Sequence, residues 1–249
     1  MQETVTSRKN PAVQQMRRLL RDRDARRTDG CFAAEGTKLF EEAVRWCPKL
    51  ETVFCTKEIR LPDLSPDVRV YIVPDELLAY ISTQKAPQGI IFSARIPNAE
   101  AVKLQPGMLV LDGIQDPGNV GTILRTADAL GVKVVLSDGC ADPFHPRTIR
   151  AAMGAVFRSV PLVRSRKQLL EDAAEGVPIA VTALSQDAQD IRSTRLRDYA
   201  LVIGSEGQGI SEDFMRVASL RLIIPMRPEC ESLNAAAAAA IVIWQMQSA

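Results

Sequence analysis

The chain has 249 residues, 46% of them apolar and 24% charged, which is the composition of a soluble globular protein with one large or two modest domains. Five cysteines, an odd number without a C-x-x-C pair, argue against a disulfide framework or a zinc site and favour a reducing, cytoplasmic compartment. The net charge of +1 leaves the partner open, but residues 1–27 carry eight lysines or arginines against three acids, which suits phosphate binding or a solvated helix face.

Helices and strands alternate through the first 95 residues, which predicts a small α/β unit. Residues 10–24 predict a basic helix, because Val13, Met16 and Leu19 recur at helical spacing between arginines. No apolar stretch precedes Cys31, so we expect no signal peptide. The other predicted elements are strands at 31–34, 50–55, 68–73 and 89–93 and helices at 35–46 and 74–80.

A longer alternation follows residues 96–107, whose prolines and mixed polarity predict a linker. Strands that alternate with helices indicate a parallel sheet covered on both faces. We therefore expect an α/β protein with domains at 1–95 and 108–249. The predicted strands of the second domain lie at 108–111, 132–136, 160–163, 178–182, 200–203 and 220–224, and its helices at 120–130, 146–153, 167–175, 212–218 and 233–246.

The last predicted helix lies in a stretch, Ser232 to Ala249, that carries no charge. At about 18 residues with several alanines and glutamines, the stretch is marginal for crossing a bilayer, and we predict no membrane association. A helix that is apolar all round is otherwise buried in a core or between subunits. We interpret this one as a subunit interface.

Three apolar runs end abruptly in polar loops, and such strand ends are where open α/β sheets bind ligands. The first loop leads into a helix that carries Asn119 and Arg125. Asn119 could cap this helix or present its amide to a ligand, and Arg125 could be a surface arginine or a ligand contact. The spacing of the two residues does not decide between these alternatives.

The second loop, Gly204–Gly209, leaves backbone amides open to a bound group but lacks the G-x-G-x-x-G pattern of dinucleotide-binding dehydrogenases. Within it, Glu206 could bind a ligand or face water. The third loop ends at Ser232, which could be a helix N-cap. One histidine, His145, is too few for a multi-histidine metal site. These amide-rich loops suit an uncharged or adenosyl-type ligand better than a metal.

Together the three loops resemble the motifs of the SpoU (TrmH) family of RNA ribose methyltransferases. The match covers Leu109 to Trp244, and Arg150 to Phe157 is similar to the family segment between motifs one and two. The matching residues are Asp116, Pro117, Asn119, Gly121, Arg125, Thr126 and Ala127 for motif one; Ile203, Gly204, Glu206, Gly207 and Gly209 for motif two; and Ile224, Pro225, Met226, Ser232, Leu233 and Asn234 for motif three.

The resemblance implies a SPOUT fold with a deep trefoil knot, a homodimer formed through this domain, and S-adenosylmethionine as the cofactor. It also implies that Gly204, Ile224 and Leu233 contact the cofactor, mainly through backbone groups. The family's motif-one arginine, proposed to activate the ribose 2′-hydroxyl, corresponds to Arg125. A guanidinium stays protonated in proteins, so a substrate phosphate or another contact would have to assist it. The residues implied to orient Arg125, the RNA and the cofactor are Asn119, Glu206, Ser232 and Asn234.

The first 95 residues resemble the ribosomal-protein-like substrate-binding domain that precedes the catalytic domain in many members, beginning at Phe32–Gly36. This resemblance favours ribosomal RNA, and in particular 23S rRNA, as the substrate. A tRNA methyltransferase and a non-catalytic RNA-binding or ribosome-assembly protein are the alternatives. No metal is expected in any of them.

Overall fold

The structure is a computed structural model that describes residues 2–47, 49–98, 102–205 and 207–247. The chain divides into two compact units. The N-terminal unit comprises Met1–Asn98 together with Phe144–Arg158, and the C-terminal unit comprises Ala99–Pro143 together with Ser159–Ala249. The chain therefore leaves the C-terminal unit after Pro143 and returns to it at Ser159.

The described residues form twelve strands and ten α-helices, numbered here in chain order. The strands are β1 Gln2–Thr4, β2 Cys31–Glu35, β3 Leu50–Cys55, β4 Arg69–Ile72, β5 Ile90–Arg95, β6 Leu109–Asp112, β7 Val134–Leu136, β8 Leu162–Val163, β9 Ile179–Thr182, β10 Gln189–Asp190, β11 Ala200–Gly204 and β12 Leu220–Ile223. The helices are α1 Pro11–Arg21, α2 Arg23–Asp29, α3 Thr37–Trp46, α4 Asp75–Ile81, α5 Pro117–Ala129, α6 Pro146–Ala152, α7 Ala155–Arg158, α8 Arg166–Ala174, α9 Glu212–Val217 and α10 Ala235–Gln247.

The N-terminal unit is built on a five-stranded mixed sheet in the order β1-β4-β3-β5-β2. Successive residues of a strand point to opposite faces of a sheet, and both faces are covered here. Ala33 and Ile91 pack on one face with buried residues of α1 and α4. On the other face, the Phe32 ring stacks at 5.4 Å on the rings of Phe144 and Phe157. The segment 144–158 is therefore part of the core of this unit.

The predicted basic helix at 10–24 is two helices in the structure. Asn10 caps α1 by accepting a hydrogen bond from the backbone N–H of Ala12. Asp22 then adopts an extended conformation, and its carboxylate accepts from the N–H groups of Asp24 and Ala25 at the start of α2. An aspartate is a strong N-cap, so a new helix begins where the apolar spacing alone predicted continuity.

The C-terminal unit is built on a seven-stranded sheet in the order β10-β12-β9-β11-β6-β7-β8, and all of its neighbouring strands pair in parallel. The central strands are apolar along most of their length, as expected of strands buried on both faces. In β6, for example, Leu109, Val110 and Leu111 have no exposed surface. The predicted α/β class with a parallel sheet is confirmed, and the knot stays a prediction.

Several predicted elements differ from the observed ones in extent. The strand predicted at 160–163 pairs only at Leu162–Val163, and β1 and β10, at the outer ends of the two sheets, were not predicted. The last helix begins at Ala235 rather than at residue 233 and has 13 residues. Spanning a bilayer takes about 20 residues, and no helix in the described ranges is long and apolar enough to do so.

The second half of the segment predicted as a linker belongs to the core of the C-terminal unit. Leu104 is 2% exposed and packs with Met108. Its backbone N–H donates to the buried carboxylate of Asp172 at 2.8 Å, and Arg164 also donates to that carboxylate. This hydrogen bonding fixes the entry of the chain into the parallel sheet.

Candidate functional site

The carboxyl ends of β12, β9 and β11 border one cleft in the C-terminal unit. Two cavities of about 360 and 120 Å³ share Thr182, Ala183, Leu184, Ser232, Leu233 and Ala238 as lining residues, so we treat them as one strand-end cleft. Gly204 lines the larger cavity, Ile224 the smaller and Leu233 both. The three residues expected to contact the cofactor therefore border the same space.

Position 204 has to be glycine, because the backbone of Gly209 lies directly against it. The N–H of Ser205 donates to the carbonyl of Gly209 at 3.2 Å, and the N–H of Gly209 donates to the carbonyl of Ser205 at 2.9 Å. This pair of bonds folds the loop back over the end of β11. A Cβ atom on Gly204 would lie 2.1 Å from the Gly209 carbonyl oxygen, so a larger residue would force the loop open.

Asn119 and Asn234 bring motifs one and three together. The side-chain Nδ2 of Asn234 donates to Oδ1 of Asn119 at 3.1 Å, across 115 positions of sequence. Oδ1 of Asn234 also accepts from the N–H groups of Ala236 and Ala237, which makes Asn234 the N-cap of α10. Both amides are thereby fixed at the start of a helix.

The capping roles considered for Asn119 and Ser232 are wrong. Asp116 caps α5, because its Oδ1 accepts from the backbone N–H of Asn119 at 2.9 Å. Asn234 caps α10, and Ser232 lies exposed before it on the wall of the cleft. His145 is the N-cap of α6, where its Nδ1 accepts from the N–H of Arg147. The N-caps of α5 and α10 are therefore Asp116 and Asn234, and His145 caps a helix for which no cap was predicted.

The predicted residue Arg125 is not joined to this group by any described contact. It lies exposed on α5, about two turns after the first residue of the helix, and its side chain forms no hydrogen bond or ion pair within the described part of the chain. Glu206 lies outside the described residues, so its role stays a prediction. In the described ranges no cluster of three or more histidines, cysteines or acids could hold a metal.

A buried aspartate next to the cleft was missed by the sequence analysis. Asp112 ends β6 directly opposite Gly204 on β11, and it is 3% exposed. Its carboxylate accepts hydrogen bonds from the Ser137 hydroxyl at 3.0 Å, the Arg166 guanidinium at 2.9 Å and the Ser211 backbone N–H at 2.8 Å. The sequence did contain a signal for this residue, because Asp112 ends an apolar run immediately before Gly113.

Together, the hydrogen bonds to this carboxylate lower its pKa by more than its burial raises it. Burial raises the pKa of Asp112, but the hydrogen bond from the Ser211 N–H, followed by the contacts with Arg166, holds the pKa below its ordinary value. Ser211 is also the N-cap of α9, at the far end of the loop that begins at Gly204. A charged Asp112 therefore anchors the loop that borders the cleft.

Comparison with known proteins identifies the family of this chain. Residues 106–244 match the model of the SpoU rRNA Methylase family, and residues 10–91 match that of the MRM3-like substrate binding domain. The chain belongs to the SpoU rRNA methylase family. It is 33% identical over 247 residues, 98% of each chain, to the 23S rRNA (guanosine(2553)-2'-O)-methyltransferase RlmP of Bacillus subtilis.

Two further relatives cover almost the whole chain. A 23S rRNA (uridine(2479)-2'-O)-methyltransferase of Streptomyces viridochromogenes is 27% identical over 97% of this chain and 90% of its own. The crystal structure of an AdoMet-bound rRNA methyltransferase from Sinorhizobium meliloti superposes with a TM-score of 0.85 at 27% identity, covering 99% of this chain and 98% of the other. Membership of this family also excludes a dinucleotide-binding dehydrogenase, whose G-x-G-x-x-G pattern Gly204–Gly209 lacks.

We expect Gly204→Ala to weaken binding of S-adenosylmethionine at least about tenfold, because the added methyl group collides with the Gly209 carbonyl and opens the loop. The matched control is Gly207→Ala, since a Cβ atom there meets nothing within 4 Å. Isothermal titration calorimetry would compare the two variants with the parent chain. Equal affinities for both variants would contradict the role of the loop.

We expect Asp112→Asn to lower the free energy of unfolding at pH 7 by about 1.5–3 kcal/mol, because hydrogen bonds to a charged group are lost. The folded-state pKa of Asp112 is lowered, so its contribution is present above the unfolded-state pKa of about 3.9 and disappears as pH falls through the folded-state pKa. Urea unfolding at pH 7, 5 and 3 measures this difference, with the exposed Glu171→Gln as the control. A difference that does not shrink at pH 3 would refute the assignment.

Proposed function

We propose that this protein transfers a methyl group from S-adenosylmethionine to a ribose 2′-hydroxyl of ribosomal RNA, and that its substrate is 23S rRNA. The main support for this proposal is the strand-end cleft. Gly204, Ile224 and Leu233 border it, and these are the positions that the family motifs assign to the cofactor. The names of the Bacillus and Streptomyces relatives support the 23S substrate.

The cleft fits an adenosyl ligand. Its walls combine the apolar side chains of Leu184, Leu233 and Met226 with the backbone of the residues that follow β9 and β11. Leu184 is 66% exposed, an apolar surface that a planar aromatic ring could cover. The larger cavity has about 360 Å³, and ligand sites typically occupy about 300–1,000 Å³.

The residues of the chain would act by holding and orienting the ribose. S-adenosylmethionine, when bound, supplies an electrophilic methyl group, so the protein has to place the 2′-oxygen in line with that group. Asn119 and Asn234, whose amides are fixed by their mutual hydrogen bond, are suited to orient the substrate. Ser232, on the wall of the cleft, and Glu206 complete the proposed set.

Arg125 is proposed to act on the hydroxyl. Its exposed guanidinium offers five N–H donors in a planar fork that matches phosphate oxygens. A contact with a phosphate beside the target ribose would hold the side chain against the 2′-oxygen. There it would stabilise the negative charge that develops on the 2′-oxygen as this oxygen bonds to the methyl group and its proton passes to solvent water.

The two units have separate proposed functions. The N-terminal unit binds the RNA, and the C-terminal unit carries out the methyl transfer. We also propose a cytoplasmic location, because all five cysteines are unpaired and free thiols persist in reducing compartments.

The C-terminal unit is proposed to form a homodimer through α10. This helix contains no charged residue, and one side of it packs in the unit through Ala239, Val242 and Ile243. On its other side Ile241 is 39% and Trp244 is 64% exposed. Exposed aromatic residues on an apolar helix are typical of protein interfaces.

The activity is tested by incubating the protein with labelled S-adenosylmethionine and with ribosomal RNA or tRNA from a strain that lacks it. We expect label in 23S rRNA, mapped to one ribose 2′-O-methyl group. Arg125→Ala should lower the rate at least about 100-fold while leaving cofactor affinity within about twofold, because the arginine acts on the hydroxyl. The exposed Lys167→Ala is the charge-matched control.

Label in tRNA alone would refute the proposed substrate, and an Arg125→Ala variant with normal turnover would remove Arg125 from catalysis.

We expect Trp244→Glu to raise the dimer dissociation constant at least about 30-fold, because a buried interface tryptophan contributes about 2 kcal/mol or more. Sedimentation equilibrium measures this shift. The control is Trp46→Glu in the N-terminal unit, where the tryptophan is 52% exposed. A parent chain that is monomeric at micromolar concentration would contradict the proposed dimer.

A further inference from the structure

Two arginines of the N-terminal unit lie against one tyrosine ring. The guanidinium carbon of Arg17 on α1 is 3.7 Å from the ring centroid of Tyr80 on α4, and that of Arg8 is 4.6 Å from it. Both distances lie within the range of cation–π contacts, about 6 Å. The amide of Gln14 donates to the Tyr80 hydroxyl at 3.5 Å and to the Arg8 carbonyl at 2.5 Å. We call Arg8, Gln14, Arg17 and Tyr80 the Tyr80 cluster.

The Tyr80 cluster differs from the other arginine contacts of this unit. Neither Arg8 nor Arg17 forms an ion pair with a carboxylate among the described residues. An aromatic ring restrains a guanidinium through its face and leaves most N–H donors unused, whereas a carboxylate occupies them. Three other arginines of this unit are instead paired with carboxylates: Arg18 with Asp29, Arg95 with Glu51 and Arg158 with Glu42.

The surface beside the cluster is an open basic groove of about 770 Å³, lined by Pro11, Gln14, Gln15, Arg17, Arg18 and Arg21. The sequence of α1 contains no acidic residue. Arg21 donates to the carbonyl groups of Ile81 and Ser82, which ties α1 to the end of α4. The groove therefore has fixed walls, and Arg18, which lines it, is paired with Asp29.

We propose that the Tyr80 cluster is a docking surface for the phosphate backbone of the RNA substrate, with Arg8 and Arg17 as the phosphate ligands. That the anion is RNA rests on the proposed function. The restraint by the ring matters because ordering a long arginine side chain on binding opposes association. Arginines already ordered in the free protein avoid most of that loss. The contact reads no base, so it positions the RNA without selecting its sequence.

The test measures binding of an unmodified 23S rRNA transcript to the full-length protein between 50 and 200 mM KCl. We expect the double variant Arg8→Gln/Arg17→Gln to bind at least about fivefold more weakly and to reduce the slope of log K against log salt by about two, one for each lost phosphate contact. Tyr80→Leu should weaken binding as well, because both arginines lose their restraint. Tyr80→Phe keeps the ring and should bind like the parent chain.

The control is Arg45→Gln, which removes one exposed arginine from the last turn of α3, a helix that contacts Phe92 on the opposite face of the sheet. A double variant with the affinity and salt slope of Arg45→Gln would overturn the proposal, as would a Tyr80→Leu variant that binds like the parent chain. Unchanged cofactor affinity and circular dichroism would show that the variants are folded. Failure of the proposed function has a separate signature, since the parent chain would then bind the transcript without methylating it.

Discussion

The C-terminal unit depends on a buried charge placed where its chain segments converge. Asp112 is the acceptor for donors from the strand end at Ser137, the start of α8 at Arg166 and the cap of α9 at Ser211. An unpaired carboxylate in this position would be strongly unfavourable, so the network is stable only when all of its members are present. The loop that begins at Gly204 is held at one end by this network and at the other by its own folded-back backbone.

Arginines of the two units have different partners, and this difference affects where positive charge is exposed on a protein whose net charge is only +1. Arg166 is neutralised by a buried carboxylate and serves the fold. Arg8 and Arg17 are restrained by a neutral ring and keep their charge available. Recognition of a polyanion therefore does not require a basic protein, since a few ordered guanidinium groups on one surface supply the local field.

Sequence reasoning succeeded for the order of strands and helices and failed for contacts between distant residues and for one helix break. Buried parallel strands are apolar throughout, so the alternation of strands and helices and the three strand ends were predictable. The hydrogen bond between Asn119 and Asn234 joins residues 115 positions apart, and no periodicity encodes it. Asp112 was recognisable as an acidic strand end, but its three partners, Ser137, Arg166 and Ser211, come from other elements and were not predictable. The break at Asp22 was missed because apolar spacing was given more weight than a capping residue.

The excursion of the chain between Pro143 and Ser159 bears on how such proteins evolve. Phe144 and Phe157 stack on Phe32, so a segment encoded in the middle of the methylase-like region completes a core begun near the amino terminus. A single recombination event near residue 98 between two relatives would join the sheet and Phe32 of one parent to Phe144 and Phe157 of the other. A functional chimaera needs matched sequence at both places, which favours joint inheritance of the two halves and substitutions that covary between them.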